Sequence, residues 1–384
     1  MFEEIIEFIK SLYPNQNPVP LHAPVFLGKE KEYLLDCIDS TYVSYVGKYV
    51  NRFEKMTAEY TDAKYAIAVV NGTVALQIAL QLAGVKYGEE VITQPLTFVA
   101  TPNAISHCGA KPVFIDVDLD TLGMSPEKLE DWLKKNTKYN QSTKRTINQS
   151  TNHSVSAIVP MHTFGFPCRI DGIVEVANKY NIPVIEDAAE SLGSFYKGKH
   201  TGNFGLAGIL SYNGNKTITT GGGGMIITDD EQLAVKAKHI TTTAKIPHPY
   251  EFVHDEVAYN YRMPNINAAI GVSQMENIDL IINNKRETAL LYKEFFSNRD
   301  IEFIFENQYS KANYWLNSIL LKDYSLRNKF LIFANSNNVQ CRPAWVLMTK
   351  LKMFSDCIKG DIFNALQLEE RLINLPSSLR VPNH

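Results

Sequence analysis

The sequence predicts an α/β protein in which a mostly parallel sheet is covered by helices on both faces, followed by a smaller α+β domain. Short runs rich in Val and Ile alternate with longer runs whose apolar residues recur at helical spacing. The short runs lack strict apolar/polar alternation, which is typical of strands buried on both faces. At 384 residues the chain is long enough for about two domains.

The chain opens with a predicted amphipathic helix, whose apolar residues are Phe2, Ile5, Ile6, Phe8, Ile9 and Leu12. The strand-like runs that follow are Ala66–Val70, Glu90–Thr93, Pro112–Val117, Ser156–Val159, Ile182–Glu186 and Ile209–Tyr212. The helix-like runs among them are Val74–Ala83, Val99–His107, Pro126–Lys135 and Ile170–Lys179. Ser125 is suited to cap the third of these helices, with Pro126 at its first position. The spacing from Thr228 to Glu231 is that of a capping box and predicts another helix.

The pattern changes after about Ala244. Helical runs near Asn265–Ile278 and Lys285–Phe296 then dominate, with a strand-like run at Trp315–Leu321. We therefore predict a large domain over residues 1–245 and a small α+β domain over residues 246–384. The first segment, about residues 1–30, is expected to pack with the small domain.

Residues 135–154 differ from the rest of the large domain. The segment is crowded with Asn, Gln, Thr, Ser and Lys and has almost no apolar residues. The segment can bury too little apolar surface to offset the loss of conformational entropy on ordering. We therefore expect a solvated surface loop.

Composition excludes several classes of function. The formal net charge is −3 without blocks of one sign, so neither a nucleic acid nor a membrane surface is expected as a partner. The five cysteines form no CxxC pair, which argues against a disulfide framework and a structural zinc site, and we expect no metal. The acidic start MFEEIIEFIKSLYP is unlike a signal peptide, and no apolar run approaches the roughly 18 residues of a membrane span. We expect a soluble cytoplasmic protein.

The segment from Val184 to Met225 is the most informative about chemistry. Its first strand-like run leads to Asp187, at the strand end where open α/β sheets bind their ligands. A second run ends near Ser211, followed by Lys216 and then by four consecutive glycines.

These residue types meet the needs of a pyridoxal phosphate site. A lysine holds the cofactor's aldehyde as an imine and later moves a proton. A partly buried carboxylate keeps the pyridine nitrogen protonated, so that the ring can accept electrons. A serine ahead of the lysine can bind the phosphate, and glycines allow the backbone to come close.

Each feature also has an ordinary explanation. A single lysine is usually a solvated surface charge, and a strand-terminal Asp is often a helix cap. The glycines could form a hairpin turn, and no GxGxxG or GK[ST] motif accompanies them. The order and spacing of the features favour the cofactor site.

Nearly the whole chain, from Pro24 to about Val381 but without the polar segment, resembles the DegT/DnrJ/EryC1/StrS family of sugar aminotransferases. The resemblance rests on the Asp187–Lys216 segment and on two further motifs, Asn71-Gly72-Thr73 and Pro95-Leu96-Thr97-Phe98. It implies the fold-type I architecture of pyridoxal phosphate-dependent transferases, with a seven-stranded type of sheet.

The resemblance also implies roles for individual residues. Asp187 would pair with the pyridine nitrogen and Lys216 would form the imine, with His162 close by as a third catalytic residue. The remaining cofactor contacts would come from Gly72, Thr73, Phe98, Glu190, Ser211 and, from the neighbouring subunit, Asn260. The functional unit would therefore be a homodimer with shared active sites. The substrate contacts that the resemblance implies are Tyr42, Lys48, His254, Arg262 and Arg342.

Two departures from the usual family pattern indicate which branch of the family the chain resembles. Many relatives have Gln where this chain has Glu190, and Glu where it has Gly222. The pattern resembles enzymes that move an amino group from glutamate or glutamine to carbon 4 of UDP-linked 4-keto-6-deoxy-N-acetylhexosamines. Those enzymes serve legionaminic acid and bacillosamine-type pathways of cell-surface polysaccharides, and pyridoxamine phosphate is their intermediate.

Two alternatives stay open at this point. Some members of the family are dehydratases that use pyridoxamine phosphate, with a histidine in place of the lysine, and Lys216 speaks against that activity. A non-catalytic sensor that binds the cofactor or a nucleotide sugar would keep the same fold.

Overall fold

The computed structural model describes residues 1–380, and the last four residues of the predicted small domain, 381–384, lie outside the described residues. The α-helices are α1 Phe2–Leu12, α2 Glu30–Asp39, α3 Lys48–Thr61, α4 Gly72–Leu82, α5 Ala100–His107, α6 Pro126–Asn136, α7 Ile170–Lys179, α8 Glu231–Thr241, α9 Asn265–Glu276, α10 Ile278–Phe296, α11 Tyr324–Ser336 and α12 Phe363–Arg371. The strands of the first half are β1 Tyr65–Val69, β2 Glu90–Thr93, β3 Lys111–Phe114, β4 Thr137–Asn140, β5 Arg145–Asn148, β6 Val155–Val159, β7 Ile185–Asp187, β8 Phe195–Tyr196 and β9 Lys199–His200. Those of the second half are β10 Ala207–Ser211, β11 Gly224–Thr228, β12 Lys245–Ile246, β13 Val253–His254, β14 Glu302–Phe303, β15 Ser310–Lys311, β16 Asn317–Leu320, β17 Arg342–Pro343 and β18 Leu372–Leu375. Short 3₁₀ turns occur at Thr163–Gly165, Met348–Lys350 and Lys352–Phe354.

Seven strands form the central sheet, in the order β1-β11-β10-β7-β6-β2-β3. Hydrogen-bonded ladders join the first four and the last three strands. Two parallel bridges, Ile158 to Val184 and Met161 to Asp187, connect the two groups at β6 and β7. Only β11 runs antiparallel to its neighbours. The predicted fold class, a mostly parallel sheet of this type, is confirmed.

Helices cover both faces of this sheet. On one face α4, α5 and α8 bury Leu76, Ile105 and Ile240 against the strands. Elsewhere, α6 and α7 pack Trp132 and Ile173 in a separate apolar cluster, while α3 and α9 contribute to a third. A sheet buried in this way has no solvated face, which is why its strands read as continuous apolar runs.

Element boundaries follow the sequence pattern with several differences. Helix α10 begins at Ile278 rather than at the predicted Lys285, and the run predicted at Pro112–Val117 is a strand only as far as Phe114. The run predicted at Ile182–Glu186 is a strand only from Ile185 to Asp187, because Val184 makes a single bridge. Helix α8 is capped by Asp230, whose side chain accepts from the backbone N–H of Leu233. Thr228 therefore does not form the predicted capping box, and its hydroxyl donates to the carbonyl of Leu206 at 2.7 Å.

The expectation of a solvated loop at residues 135–154 is wrong. Strands β4 and β5 form an antiparallel hairpin, and the side chain of Asn148 is fully buried. Its Nδ2 donates to Glu90 Oε2 at 2.7 Å, and Thr151 Oγ1 donates to Glu90 Oε1 at 2.7 Å. Polar contacts with a buried carboxylate, together with the buried side chain of Ile147, order the segment.

The C-terminal part contains an antiparallel sheet in the order β14-β16-β18-β17. Helix α1 packs there, where Ile5 and Ile9 lie in one apolar cluster with Tyr292 of α10 and Phe330 of α11. The boundary at residue 245 itself stays a prediction. Within residues 1–380, no helix combines the length and apolarity needed to cross a membrane.

Candidate active site

A cavity opens at the edge of the central sheet where its parallel strands end. Asp187 is the last residue of β7 and Ser211 is the last residue of β10. The cavity encloses about 320 Å³, a volume suited to a small-molecule ligand. It brings together seven of the predicted cofactor-binding residues, namely Gly72, Thr73, Phe98, Asp187, Glu190, Ser211 and Lys216.

Asp187 lies almost completely buried in the cavity wall, with 5% of its surface exposed. Its Oδ2 accepts a hydrogen bond of 2.7 Å from Thr101 Oγ1, and its Oδ1 accepts one of 3.2 Å from the N–H of Ala189. Thr97 Oγ1 lies 2.7 Å from Thr101 Oγ1 and serves as the donor in that pair, because the Thr101 proton is directed to Asp187. The carboxylate is thus oriented as an acceptor for an N–H group entering the cavity.

Lys216 points into the same cavity and is paired with a carboxylate. Its Nζ lies 3.1 Å from Glu190 Oε1, with 12% of the lysine side chain and 1% of the glutamate side chain exposed. The ammonium also lies 4.2 Å from the ring centroid of Trp315, a cation–π distance. The lysine is therefore held in position while remaining accessible from the cavity.

Glu190 is an unusual neighbour for a reactive lysine. Burial raises the pKa of Glu190 to about 7, although the Lys216 ammonium and the N–H of Phe164 oppose this effect. That N–H donates to Glu190 Oε2 at 2.9 Å. The carboxyl group can therefore exchange a proton near neutral pH.

The N-terminus of α4 forms another wall of the cavity. Asn71 caps the helix by accepting from the N–H of Val74 at 2.9 Å. The helix start passes close to the end of β10, because a Cβ added at Gly72 would lie only 3.1 Å from Ser211 Cβ. Backbone N–H groups at a helix start, next to a hydroxyl, form a suitable cradle for a phosphate.

Aromatic side chains enclose the remaining side. Phe98 is half exposed and lies 6.0 Å from Trp345, whose ring is 4.7 Å from Phe164. Trp315 is held by a hydrogen bond from its Nε1 to the carbonyl of Asn215 at 2.7 Å. These rings offer flat apolar surfaces to a planar ligand.

The residues present fit pyridoxal phosphate. Asp187 would hold the pyridine nitrogen, Lys216 would reach the aldehyde, and Ser211 with the start of α4 would hold the phosphate. The ring would contact Phe98. The donor set thus matches each polar group of that cofactor.

His162, predicted as a third catalytic residue, lies outside the lining of the cavity, and its catalytic role stays a prediction. Its side chain is fully buried, with Nε2 3.0 Å from Glu186 Oε2. The N–H of Cys168 donates to Nδ1 at 3.2 Å, so the ring proton lies on Nε2 and is directed to Glu186. Both ring nitrogens are thus engaged within the chain, next to the end of β7.

Three predicted substrate residues lie around a second, more open cavity of about 690 Å³. Tyr42 and Lys48 contribute to its lining together with Arg262. The guanidinium of Arg262 is 2.6 Å from Glu54 Oε1 and donates to the carbonyl of Ala68 at 2.8 Å. Arg262 is buried and engaged within the chain, where it supports the end of β1, and its substrate role stays a prediction.

The other predicted residues lie outside both cavities. His254 is exposed on β13, where its Nδ1 donates to the carbonyl of Thr243 at 2.7 Å. Arg342 is exposed on β17 and donates to Asn335 Oδ1 at 2.9 Å. Asn260 is exposed on the outer surface of the chain. A single subunit does not bring these three residues to Lys216.

Sequence reasoning missed several residues of the cavity. Thr101 lies in the first turn of α5 and contacts Thr97 of the preceding loop, a contact that helical spacing does not predict. Trp315 and Trp345 come from the C-terminal part of the chain and reach Lys216 only through the tertiary fold. No local pattern identifies them.

Comparison with known proteins places this geometry in context. The family model described as the DegT/DnrJ/EryC1/StrS aminotransferase family matches residues 27–383. A GDP-perosamine synthase of Escherichia coli O157:H7 is 39% identical over 359 residues, covering 94% of this chain and 93% of that protein. A Bacillus subtilis protein, provisionally named a pyridoxal phosphate-dependent aminotransferase, is 37% identical over 328 residues, covering 85% and 81% of the two chains. The crystal structure of an aminotransferase from Psychrobacter cryohalolentis has a TM-score of 0.81 at 29% identity, covering 92% of this chain and 93% of that one.

Proposed function

The chain belongs to the DegT/DnrJ/EryC1/StrS aminotransferase family, and from that premise we propose that it transfers an amino group to carbon 4 of a nucleotide-linked 4-keto-6-deoxy sugar. It is a pyridoxal phosphate-dependent sugar aminotransferase. The observation that carries the proposal is the arrangement of Asp187, Lys216 and the start of α4 around one cavity.

Each residue would contribute a defined step. Bound pyridoxal phosphate supplies a ring that accepts electrons and carries the amino group from donor to acceptor. Asp187 keeps the ring nitrogen charged, and Ser211 fixes the phosphate. Lys216 takes a proton from one carbon and returns it to another, a general acid–base role that contributes roughly 10²–10⁴-fold. Phe98, Trp315 and Trp345 would exclude water from the reacting face.

Two sugar substrates are candidates. The pattern around Glu190 and Gly222 favours a UDP-linked 2-acetamido-2,6-dideoxy-4-keto-hexose, with glutamate or glutamine as the donor. Such a product would serve a cytoplasmic pathway to legionaminic acid or a bacillosamine-type sugar. A GDP-linked sugar is the second candidate, because the Escherichia coli relative is named a GDP-perosamine synthase.

The substrate is tested by incubating the holoenzyme with glutamate and a panel of UDP-, GDP- and TDP-linked keto sugars. Mass spectrometry then detects which sugar gains an amine. We expect amination of the UDP-linked acetamido sugar. Amination of the GDP-linked sugar alone would support the second candidate. Loss of an oxygen from one of the sugars, with no sugar gaining an amine, would contradict both.

The assignment of Lys216 has a direct test. Borohydride reduction followed by peptide mapping should place the cofactor on Lys216 and not on Lys285, the other buried lysine. The Nζ of Lys285 already donates hydrogen bonds to His22 Nε2 at 2.9 Å and to the carbonyls of Trp315 and Ser377. The variant Lys216→Ala should bind pyridoxamine phosphate but lose turnover by roughly 10²–10⁴-fold. Exposed Lys329→Ala serves as the control, and normal turnover by Lys216→Ala would overturn the assignment.

We also propose a homodimer in which Asn260 of one subunit completes the site of the other. The segment before Asn260 carries Tyr250, Phe252 and Val257, which are 85%, 79% and 97% exposed. Large apolar side chains clustered on a surface are typical of an interface. This segment also carries His254. In the proposed dimer, His254 of one subunit would lie closer to the cavity around Lys216 of the other subunit than to that of its own.

A further inference from the structure

Lys285 is a buried lysine of α10 to which the proposed function gives no role. The residue is 1% exposed, and no carboxylate of residues 1–380 pairs with it. Burial lowers the pKa of Lys285 to about 7, so a positive charge is unfavourable at this place. An apolar side chain of similar size would cost less free energy to bury. Packing alone therefore does not explain a lysine at this position.

Three segments of the chain meet at the amino group of Lys285. Its Nζ lies 2.9 Å from His22 Nε2 and donates to the carbonyls of Trp315 at 3.2 Å and of Ser377 at 2.6 Å. The two carbonyls need only two N–H groups, which a lysine keeps in its neutral form. The contacts with Trp315 and Ser377 therefore do not depend on whether Lys285 is charged.

Trp315 connects this amino group to the reactive lysine. Its ring centroid lies 4.2 Å from Lys216 Nζ, and its Nε1 donates at 2.7 Å to the carbonyl of Asn215, the residue before Lys216. The backbone N–H of Trp315 donates to Asn313 Oδ1 at 2.8 Å. Hydrogen bonds thus hold the indole, the backbone N–H and the carbonyl of Trp315, and Lys285 supplies the one to the carbonyl.

We propose that Lys285 is a positioning residue of the transfer reaction, which acts through Trp315 by fixing the indole ring against Lys216. The inference rests on the proposed function. Without the lysine, the buried carbonyl of Trp315 would lose its donor, and the segment between β15 and β16 would shift to pair that carbonyl again. A displacement of about 1 Å near the reacting group can lower a rate by about 10²-fold.

Tyr292 provides a matched comparison on the same helix. It is also fully buried, it follows Lys285 by about two turns of α10, and its hydroxyl donates to the carbonyl of Pro376 at 3.0 Å. Because Pro376 is next to Ser377, both side chains anchor the same C-terminal segment. Of the two, only Lys285 bonds to Trp315. A purely structural role through the C-terminal segment would therefore give Lys285→Met and Tyr292→Phe similar effects.

The indole N–H of Trp315 reports the position of the ring without any assay of activity. Cofactor-free protein labelled with nitrogen-15 tryptophan is observed by NMR, and Trp315→Phe identifies the signal of Trp315 by its absence. The hydrogen bond to Asn215 should protect this proton from exchange with water in the wild type. Lys285→Met should shift the signal and accelerate its exchange by about tenfold, which corresponds to the loss of one hydrogen bond. Tyr292→Phe should match the wild type, and the signal of Trp132 on α6 should not change in either variant.

Turnover tests whether the effect on the reaction runs through Trp315. With glutamate and the keto sugar that the wild type aminates, Lys285→Met and Trp315→Phe should each lower turnover by about tenfold or more. The double variant should be no slower than the slower single variant, because both substitutions remove the same positioning effect. Tyr292→Phe should keep the wild-type rate.

Three results would overturn the inference. They are an unchanged Trp315 indole signal in Lys285→Met, losses of turnover that multiply in the double variant, and equal losses in Lys285→Met and Tyr292→Phe. If Lys285→Met does not fold, Trp315→Phe decides alone, because near-normal turnover of that variant would exclude a role through the indole. If the wild type aminates no sugar, the proposed function itself fails, and the indole signal still shows whether Lys285 positions Trp315, so the two failures can be told apart.

Discussion

At the scale of single residues, the cavity is organised by polar contacts that lead away from each reactive group. Asp187 accepts from Thr101, which in turn accepts from Thr97. Thr101 lies in the first turn of α5, and Thr97 lies in the loop that precedes the helix, so the start of α5 and the loop before it supply the chain of donors. The contribution of these three residues to turnover should fall in the order Asp187, Thr101, Thr97, as the number of hydrogen bonds between each residue and the cofactor nitrogen increases.

Three substitutions test that order. Asp187→Ala removes the charge that keeps the ring nitrogen protonated and should lower turnover by roughly 10²–10³-fold. Thr101→Val removes one hydrogen bond to the carboxylate and should cost about tenfold, equivalent to about 1.4 kcal/mol. Thr97→Val acts only through Thr101 and should cost less. Steady-state rates with glutamate and a keto sugar provide the comparison.

The ordering can fail in a recognisable way. If Thr97→Val were as damaging as Asp187→Ala, the threonine pair would act by another route, such as packing at the start of α5. Equal thermal stability of the three variants excludes unfolding as the cause. Near-normal turnover of Asp187→Ala would mean that another carboxylate pairs with the ring.

At the scale of elements, the sequence predicts those helices and strands whose pattern depends only on neighbouring residues. The apolar runs predicted β2 and helices α6 and α7 to within a residue, because their periodicity is a property of adjacent positions. The polar hairpin β4–β5 could not be predicted in this way. Its order comes from Glu90, a residue far away in sequence that is 1% exposed and needs hydrogen-bond donors.

The hairpin makes a prediction about stability. Asn148→Ala removes the donor to Glu90 Oε2 and leaves that oxygen buried without a partner, which should lower the free energy of unfolding by about 2 kcal/mol. Gln141→Ala, in the exposed turn of the same hairpin, should change it by less than about 0.5 kcal/mol. Urea denaturation of both variants makes the comparison. Turnover of the folded Asn148→Ala protein should stay at the wild-type level, because the hairpin does not line the cavity. Equal stability of the two variants would show that the hairpin is a passive surface element.

At the scale of the whole molecule, the site is assembled from distant parts of the chain. The resemblance to the family identified Lys216, Asp187 and the start of α4, whose motifs are contiguous in sequence. Trp315 and Trp345 were not predicted, because only the packing of the C-terminal part brings them to the cavity. Asn260 lies outside the cavity lining of its own chain. A complete site around Lys216 that includes Asn260 therefore requires a second copy.

Mixed dimers test this arrangement. In the proposed dimer, Lys216→Ala should inactivate the site of the subunit that carries it, and Asn260→Ala should inactivate the site of the partner subunit. When the two variants are mixed by co-expression, about half of the dimers contain one subunit of each kind. In such a dimer one site carries both substitutions, whereas the other combines an intact Lys216 with an intact Asn260. Mixing should therefore restore about a quarter of the wild-type activity, measured per subunit, provided that each variant alone is nearly inactive.

Two affinity tags isolate the mixed species, and light scattering checks that each variant still forms a dimer. If Asn260 served its own subunit instead, the mixed dimer would contain no intact site, and its activity would not exceed the mean of the two parent proteins.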